Sequence, residues 1–335
     1  MRPRPLSAVL VTAALLGASA CGGGGGRTPA PAVTWTGARA LTGVEDGPSG
    51  VATDGTQVWF TAGRTQAGEQ ALRVAPLAGP ATSHVVAAMP GGLGPNRRIA
   101  LDAGSVYVAA GSAVVRLPAA GGEATVVVKG RPALVEDVVV TAADLWWTTY
   151  QLGEPNRIEV ARMPKAGGPV QVAAAGVASG LGRPYPDGDS ALLASPGGVL
   201  RVRAGAKPEV VVSTEAAGGV VSRLAMDDQR LYVSTTGARN HLVAIPRGGG
   251  PAVELADHVD PEADLAVVGG QVVFFSLVGG VGSGGRAVVQ AVPGAGGPVR
   301  TIASGSYPDG DLAAVGSDRV VFSADSRVWV ATVAA

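Results

Sequence analysis

One cysteine and three histidines are all that 335 residues offer for thiol, soft-metal or imidazole chemistry. A lone thiol excludes an internal disulfide framework and any multi-cysteine zinc or iron–sulfur site. His84, His241 and His258 show neither HExxH nor Cys/His spacing, so each reads as a surface or turn residue. Charge is scarce as well, at 16% of residues, and 26 Lys plus Arg balance 26 Asp plus Glu. A net charge of zero leaves no basic face to neutralise phosphates, which excludes nucleic acid as a partner. Walker A and G-x-S-x-G motifs are missing, and with them a phosphate cradle and a serine elbow. Gly280–Gly285 fits G-x-G-x-x-G, but the following Ala287–Pro293 reads as a strand and not as the helix whose N-terminus would hold a pyrophosphate. That segment reads as a hairpin loop.

Apolar runs long enough to span a bilayer are lacking too. Leu6–Leu16 follows the basic Met1–Arg4 and has the length of a signal-peptide core, which predicts a signal peptide over residues 1–20. Ala18-Ser19-Ala20-Cys21 resembles the lipobox of bacterial lipoproteins, with Ala18 where that family most often has Leu. The resemblance implies a diacylglycerol anchor on Cys21, the only cysteine, and no other cofactor. Ala18-Ser19-Ala20 also satisfies the small-x-small site of ordinary signal peptidase, which leaves a secreted soluble form as the alternative. Residues 21–32 then form the anchor and its leash, a Gly22–Gly26 tether followed by a stiffer Pro/Ala spacer. Gly22 in place of Asp implies, by the same family analogy, outer-membrane sorting in a Gram-negative cell.

Residues 33–335 are rich in what breaks helices. The chain has 51 Gly and 24 Pro, while 47% hydrophobic residues argue against global disorder. Short Val-, Ile- and Leu-rich runs interrupted by Gly, Pro, Asp and Asn predict an all-β chain of hairpins. Two patterns recur. Strand A, a polar turn and strand B with an aromatic appear at 51–60, 99–108, 139–149, 224–234, 265–276 and 312–323. Strand C, a Pro-x-x-Gly-Gly turn and strand D appear at 116–128, 162–173, 244–256 and 291–303, with a worn copy at 74–87. A weaker unit begins near Ser190, tied to the series because Tyr185–Asp189 repeats as Tyr307–Asp311. The B strands centre near 59, 107, 146, 200, 232, 274 and 321. That step of about 44 residues, with four strands per unit, predicts a seven-bladed β-propeller of four-stranded antiparallel blades. Six blades remain the alternative if 190–219 is an insertion. The last unit stops after three strands and Val33–Leu41 is a spare strand, so the ring is predicted to close by pairing the N- and C-terminal strands. Trp59, Phe60, Tyr107, Trp146, Trp147, Tyr232, Phe274, Phe275 and Phe322 fall in B strands, where rings fill the space between blades.

These units resemble those of bacterial TolB-like, YWTD-related and DUF5050-type propellers. The carrying residues are Leu145-Trp146-Trp147-Thr148-Thr149 and Arg162-Met163-Pro164-Lys165-Ala166-Gly167-Gly168. The resemblance implies an extracytoplasmic binding or scaffolding protein, and its motifs build blades without specifying a function.

Propeller geometry places a ligand face where the B–C and D–A loops converge around the channel. Polar candidates there are Arg64, Gln66 and Glu69; Asn96, Arg97 and Arg98; Gln151, Glu154, Asn156 and Arg157; Arg239 and Asn240; and Asp260 and Glu262. Their mixed charge suits a protein or neutral-ligand partner. The carboxylates of the two Tyr-Pro-Asp-Gly-Asp segments are predicted to lie on one rim and to cap their own turns. Calcium is the minority option there, because the D-x-D-x-D-G run is missing. The expected protein is a monomeric, lipid-anchored, non-enzymatic binding or scaffolding module of the cell envelope, with the membrane as a partner through its acyl chains. One alternative is a hydrolase- or lyase-type propeller enzyme, which requires two or more histidines or carboxylates aimed at the channel axis. The other is a structural envelope protein without a specific ligand.

Overall fold

The hairpin repeat closes into a ring. The computed structural model describes residues 35–45, 47–63, 70–89, 98–129, 133–151, 157–178, 183–237, 239–278, 286–305 and 308–333. They form seven four-stranded antiparallel sheets, the blades of a β-propeller. Blade 1 shows the plan, running outward from the axis as Ser49–Thr53, Gln57–Ala62, Gln70–Pro76 and His84–Met89. The other inner strands are Ile99–Asp102, Ala133–Val140, Tyr185–Asp187, Val220–Met226, Ala266–Val268 and Pro308–Val315.

Four of the outer hairpins share one device. In Pro118–Gly122, Pro164–Gly168, Pro246–Gly250 and Pro293–Gly297 the proline carbonyl accepts from the first glycine N–H at 2.8–3.0 Å. Both glycines have positive φ, and a side chain on the second would meet the proline ring. That is why the pair recurs as Gly-Gly and why the turn could be read directly from the sequence.

The second strands carry the aromatic residues, and all nine are buried between sheets. Blade 7 is completed by the other end of the chain, since Ala38–Ala40 pairs antiparallel with Arg327–Thr332. Trp35 locks this closure. Its ring packs edge-on to Phe322 and Phe275 with centroids 4.9 and 6.4 Å away, and its Nε1 donates to Asp325 Oδ2 at 2.7 Å.

Two expectations need correction. The weak unit is a full blade, with strands Tyr185–Asp187, Ser190–Ser195, Gly198–Val202 and Glu209–Ser213, which removes the six-bladed alternative. Its second strand is centred near 193, not 200, because Ser195-Pro196-Gly197-Gly198 joins the second and third strands. The inner strand is three residues long with Pro186 in its middle, so it leaves almost no hydrophobic signal. The two Tyr-Pro-Asp-Gly-Asp segments do not share a rim either. The first ends an inner strand, where Asp187 receives Arg201 and Arg247. The second begins one, and carries Asp311 into the buried axis.

Trp35→Ala is expected to lower unfolding free energy by about 3–5 kcal/mol in urea titrations, because it empties the site that couples both chain ends. A loss under about 1 kcal/mol would mean that strand pairing alone holds the ring closed.

Candidate functional site

Strand register places one residue of every blade at the same level of the axis. Ala52, Ala100, Val139, Tyr185, Ala225, Ala266 and Ala313 pair with Trp59, Tyr107, Trp146, Leu192, Tyr232, Val273 and Val321. Two residues earlier, on the same side of each chain, stand Gly50, Arg98, Asp137, Arg183, Arg223, Asp264 and Asp311. Three arginines and three aspartates therefore cancel in one ring, above a second ring of mostly alanine. In blades 1, 3, 5 and 7 the inner strand shifts register at or beside the upper position. Such a bulge interrupts the regular pairing of the inner strand beside that level.

Arg98 is the hub of the upper ring. Its Nη2 donates to Asp264 Oδ1 at 2.6 Å and its Nη1 to Asp264 Oδ2, a bidentate pair across the axis. Nη1 also donates to Asp311 Oδ1 at 3.1 Å, and Nε lies 3.6 Å from Asp137 Oδ2. Asp311 further accepts from Gly50 N–H at 3.0 Å and Ser323 Oγ at 3.3 Å. Arg223 donates through Nη2 to the Glu262 carbonyl at 2.6 Å and stands 3.9 Å from Asp264.

These surroundings separate the carboxyls. Burial pushes Asp264 up, but the charge and hydrogen bonds of Arg98, followed by Arg223 and Arg183, hold it below the usual carboxylate range. Burial raises Asp311 despite Arg98. Burial drives Asp137 to about 6, against the opposing charges of Arg183 and Arg98. Glu136, beside it, is also raised by burial and by Asp137.

Blade 3 also leaves its polar atoms without partners. Asp137 is 3% exposed, and its Oδ1 has no hydrogen-bond partner. Thr148, directly across the strand pair from Asp137, is 0% exposed and its Oγ1 is equally unsatisfied. The next blade supplies Arg183, whose guanidinium has no ion pair or hydrogen bond among the described residues. Arg183 lines an axial cavity of about 320 Å³. Apart from Thr53 the other lining residues have apolar side chains, among them Ile99, Val139, Leu265 and Leu312, yet polar atoms make up most of the surface exposed to the cavity.

The loop candidates mostly lie elsewhere. Arg64, Gln66, Glu69, Asn96, Arg97, Glu154 and Asn156, like Cys21 and Gly280–Gly285, fall outside the described residues. Arg157 opens a third strand, Arg157–Pro164. Arg239 is exposed and Asn240 half-buried in the loop before His241–Pro246. Asp260 caps Glu262 N–H at 3.0 Å, and burial raises its pKa. Arg98 alone of the loop candidates reaches the ring; Asp311 was expected on a rim, capping its own turn, and Asp137, Arg183, Arg223 and Asp264 were not foreseen. The histidines are peripheral: His84 and His258 are exposed, and His241 Nδ1 sits 3.1 Å from Glu254. The convergence that an enzyme reading requires is thus present for carboxylates and absent for these histidines. Among the described residues no group of three or more His, Cys, Asp or Glu is placed to hold a metal ion.

No protein family's sequence profile and no curated protein matches this chain. Solved structures match its fold. An oligogalacturonate lyase from Vibrio parahaemolyticus aligns with a TM-score of 0.63 and 11% identity, over 90% of this chain and 92% of that one. The extracellular domain of a one-component system from B. thetaiotaomicron aligns with a TM-score of 0.58 and 12% identity, over 88% of this chain and 40% of that one. The computationally designed protein Ika8 aligns with a TM-score of 0.53 and 13% identity, over 88% and 98%. At such identities the likeness is one of fold.

Because Asp137 is raised, its protonated form favours the folded state. The corresponding stability is complete below about 4 and is lost as pH rises through about 6. Asp137→Asn should therefore equal the parent protein near pH 4 and exceed it by on the order of 3 kcal/mol at pH 7.5. Urea unfolding at both pH values checks this, and a difference independent of pH contradicts it.

Proposed function

We propose that this chain is a cell-envelope lipoprotein whose propeller binds a small ligand at its axis. The observation that carries the binding role is the unequal ring. Arg98, Asp264 and Asp311 are committed to one another, whereas Asp137 Oδ1 is buried without a hydrogen-bond partner and Arg183 lines an axial cavity. A buried polar atom without a partner destabilises a fold by about 1–3 kcal/mol, so its retention suits a group that a ligand completes.

The envelope location rests on Cys21 and the tether after it. Among the described residues no helix is long and apolar enough to cross a membrane. An acyl chain with a second membrane signal gives stable anchoring, and a diacylglycerol supplies two chains. The extracellular propeller domain from B. thetaiotaomicron is a fold-level parallel for the location.

A propeller enzyme is the second reading, favoured by one feature: burial pushes Asp137 up to about 6, towards the range in which a general base works best. The lyase fold from Vibrio parahaemolyticus keeps company with it at the level of architecture. The binding reading is preferred because the other two ring carboxylates are neutralised by Arg98 and the described histidines lie away from the axis.

Expression of the full chain in a bacterial host with radiolabelled palmitate tests the anchor. The parent protein should carry label and sediment with membranes, and Cys21→Ala should lose the label and appear in the soluble fraction. An unlabelled parent, or a Cys21→Ala variant that stays in the membrane fraction, would remove the lipoprotein assignment.

A further inference from the structure

We infer that the axial cavity takes a small hydroxylated carboxylate, its carboxylate on Arg183 and its hydroxyls on the free edges of the inner strands, and that Asp137 takes up a proton from solvent as this anion binds. The inference deepens the axial-binding reading and rests on it, and not on the Cys21 anchor.

The wall of the cavity defines the body of the ligand. It is built by the inner strands of blades 1, 2, 3, 6 and 7. Each of these strands comes first in its sheet and bonds a neighbour on one side only. The other edge turns main-chain N–H and C=O groups towards the axis. That accounts for a wall that exposes mostly polar atoms although Thr53 and Arg183 carry its only polar side chains. Hydroxyls both donate and accept, and so can answer such edges at several points, where a hydrocarbon would leave them unsatisfied. At about 320 Å³ the cavity lies at the lower end of the range for small-molecule sites, which suits one small acid and not an oligomer.

Charge defines the head group. Among the described residues Arg183 is the only charged side chain on that wall. Its planar fork of donors suits a carboxylate bonded through both oxygens. Arg183 is also the largest countercharge of Asp137, ahead of Arg98. While Asp137 is ionised the two cancel, and an entering anion meets no net positive charge. A proton on Asp137 releases Arg183 for one negative charge of ligand.

The surroundings of Asp137 make it the group that gives way. It faces Arg98 from blade 2, Arg183 and Tyr185 from blade 4 and Asp264 from blade 6, with Glu136 beside it on its own strand. Arg98 bonds Asp264 and Asp311, and Tyr185, pushed up to about 12, stays neutral. Asp137 Oδ1 has no hydrogen-bond partner, which costs a neutral carboxyl less than a carboxylate. Burial already raises Asp137 to about 6, so a bound anion need shift it only a little further to protonate it near neutral pH.

Isothermal titration of the full chain with D-glycerate and D-gluconate at pH 5 and pH 8 tests the inference. Glucitol, which lacks the carboxylate, and hexanoate, which lacks the hydroxyls, are the controls. At least one hydroxy acid should bind saturably at one site, at least about tenfold tighter than either control and at least about tenfold tighter at pH 5 than at pH 8. Both acids are ionised throughout this range, so the pH dependence belongs to the protein. Asp137→Asn should bind at pH 8 as tightly as the parent does at pH 5. Arg183→Met, shown folded by circular dichroism, should bind at least about tenfold more weakly at pH 5. If Arg183→Met does not fold, Asp137→Asn decides, since it removes a buried charge and adds none. Affinity independent of pH in the parent, or weaker binding in Asp137→Asn, would overturn the inference. Glucitol or hexanoate binding as tightly as the hydroxy acids would overturn the ligand class and leave an axial binding site. No saturable binding of any of the four compounds would overturn the inference and remove the support for axial binding with it, whatever the palmitate experiment shows.

Discussion

Arg98 reaches across the axis of the propeller. From the entrance of blade 2 its guanidinium reaches carboxylates of blades 6 and 7 and approaches that of blade 3. A buried cation of this kind is held only by several acceptors in fixed places, and buried carboxylates need the cation in turn. Blade order, the bulges beside the ring and the level at which each inner strand enters the axis must all agree for that to happen. The sheets themselves are interchangeable hairpins joined by similar turns. The ring distinguishes one blade from another.

The ring is also where stability and function part. Asp264 and Asp311 bind Arg98 and hold three blades together. Asp137 meets the charges of Arg183 and, at a longer contact, Arg98, with its second oxygen unpartnered and its pKa displaced by burial. Arg183 has the opposite deficit. A purely structural ring would pair these two neighbours, and a ligand-binding ring leaves the gap between them for something else to fill.

Most of the architecture could be read from residues that do not bind anything. Pro-x-x-Gly-Gly turns, aromatic second strands and a step of about 44 residues specify blades, because turn stereochemistry and core packing act over a few neighbouring positions. The ring was not legible in that way. Each recognised repeat began at Val51, Ile99, Val139, Leu224, Leu265 or Leu312, one or two residues after the ring position. A single Arg or Asp at the end of an apolar run looks like a solvated loop residue. Only when seven inner strands are stacked by register does the series Gly50, Arg98, Asp137, Arg183, Arg223, Asp264, Asp311 show its balance. Blade 4 resisted even that, since Pro184 and Pro186 erase the alternation around Arg183. The second Tyr-Pro-Asp-Gly-Asp segment misled for a related reason: identical residues six positions out of register serve a turn in one blade and the axis in another.

Carbon-13 NMR of aspartate carboxyl groups, selectively labelled and followed from pH 3 to pH 8, bears most directly on the unequal ring. One buried carboxyl should titrate near 6 and disappear in Asp137→Asn, while another, assigned by Asp264→Asn, stays ionised to below the usual aspartate range. If Asp137 and Asp264 titrate together at ordinary values, the ring has no open member and the axial site loses its physical basis.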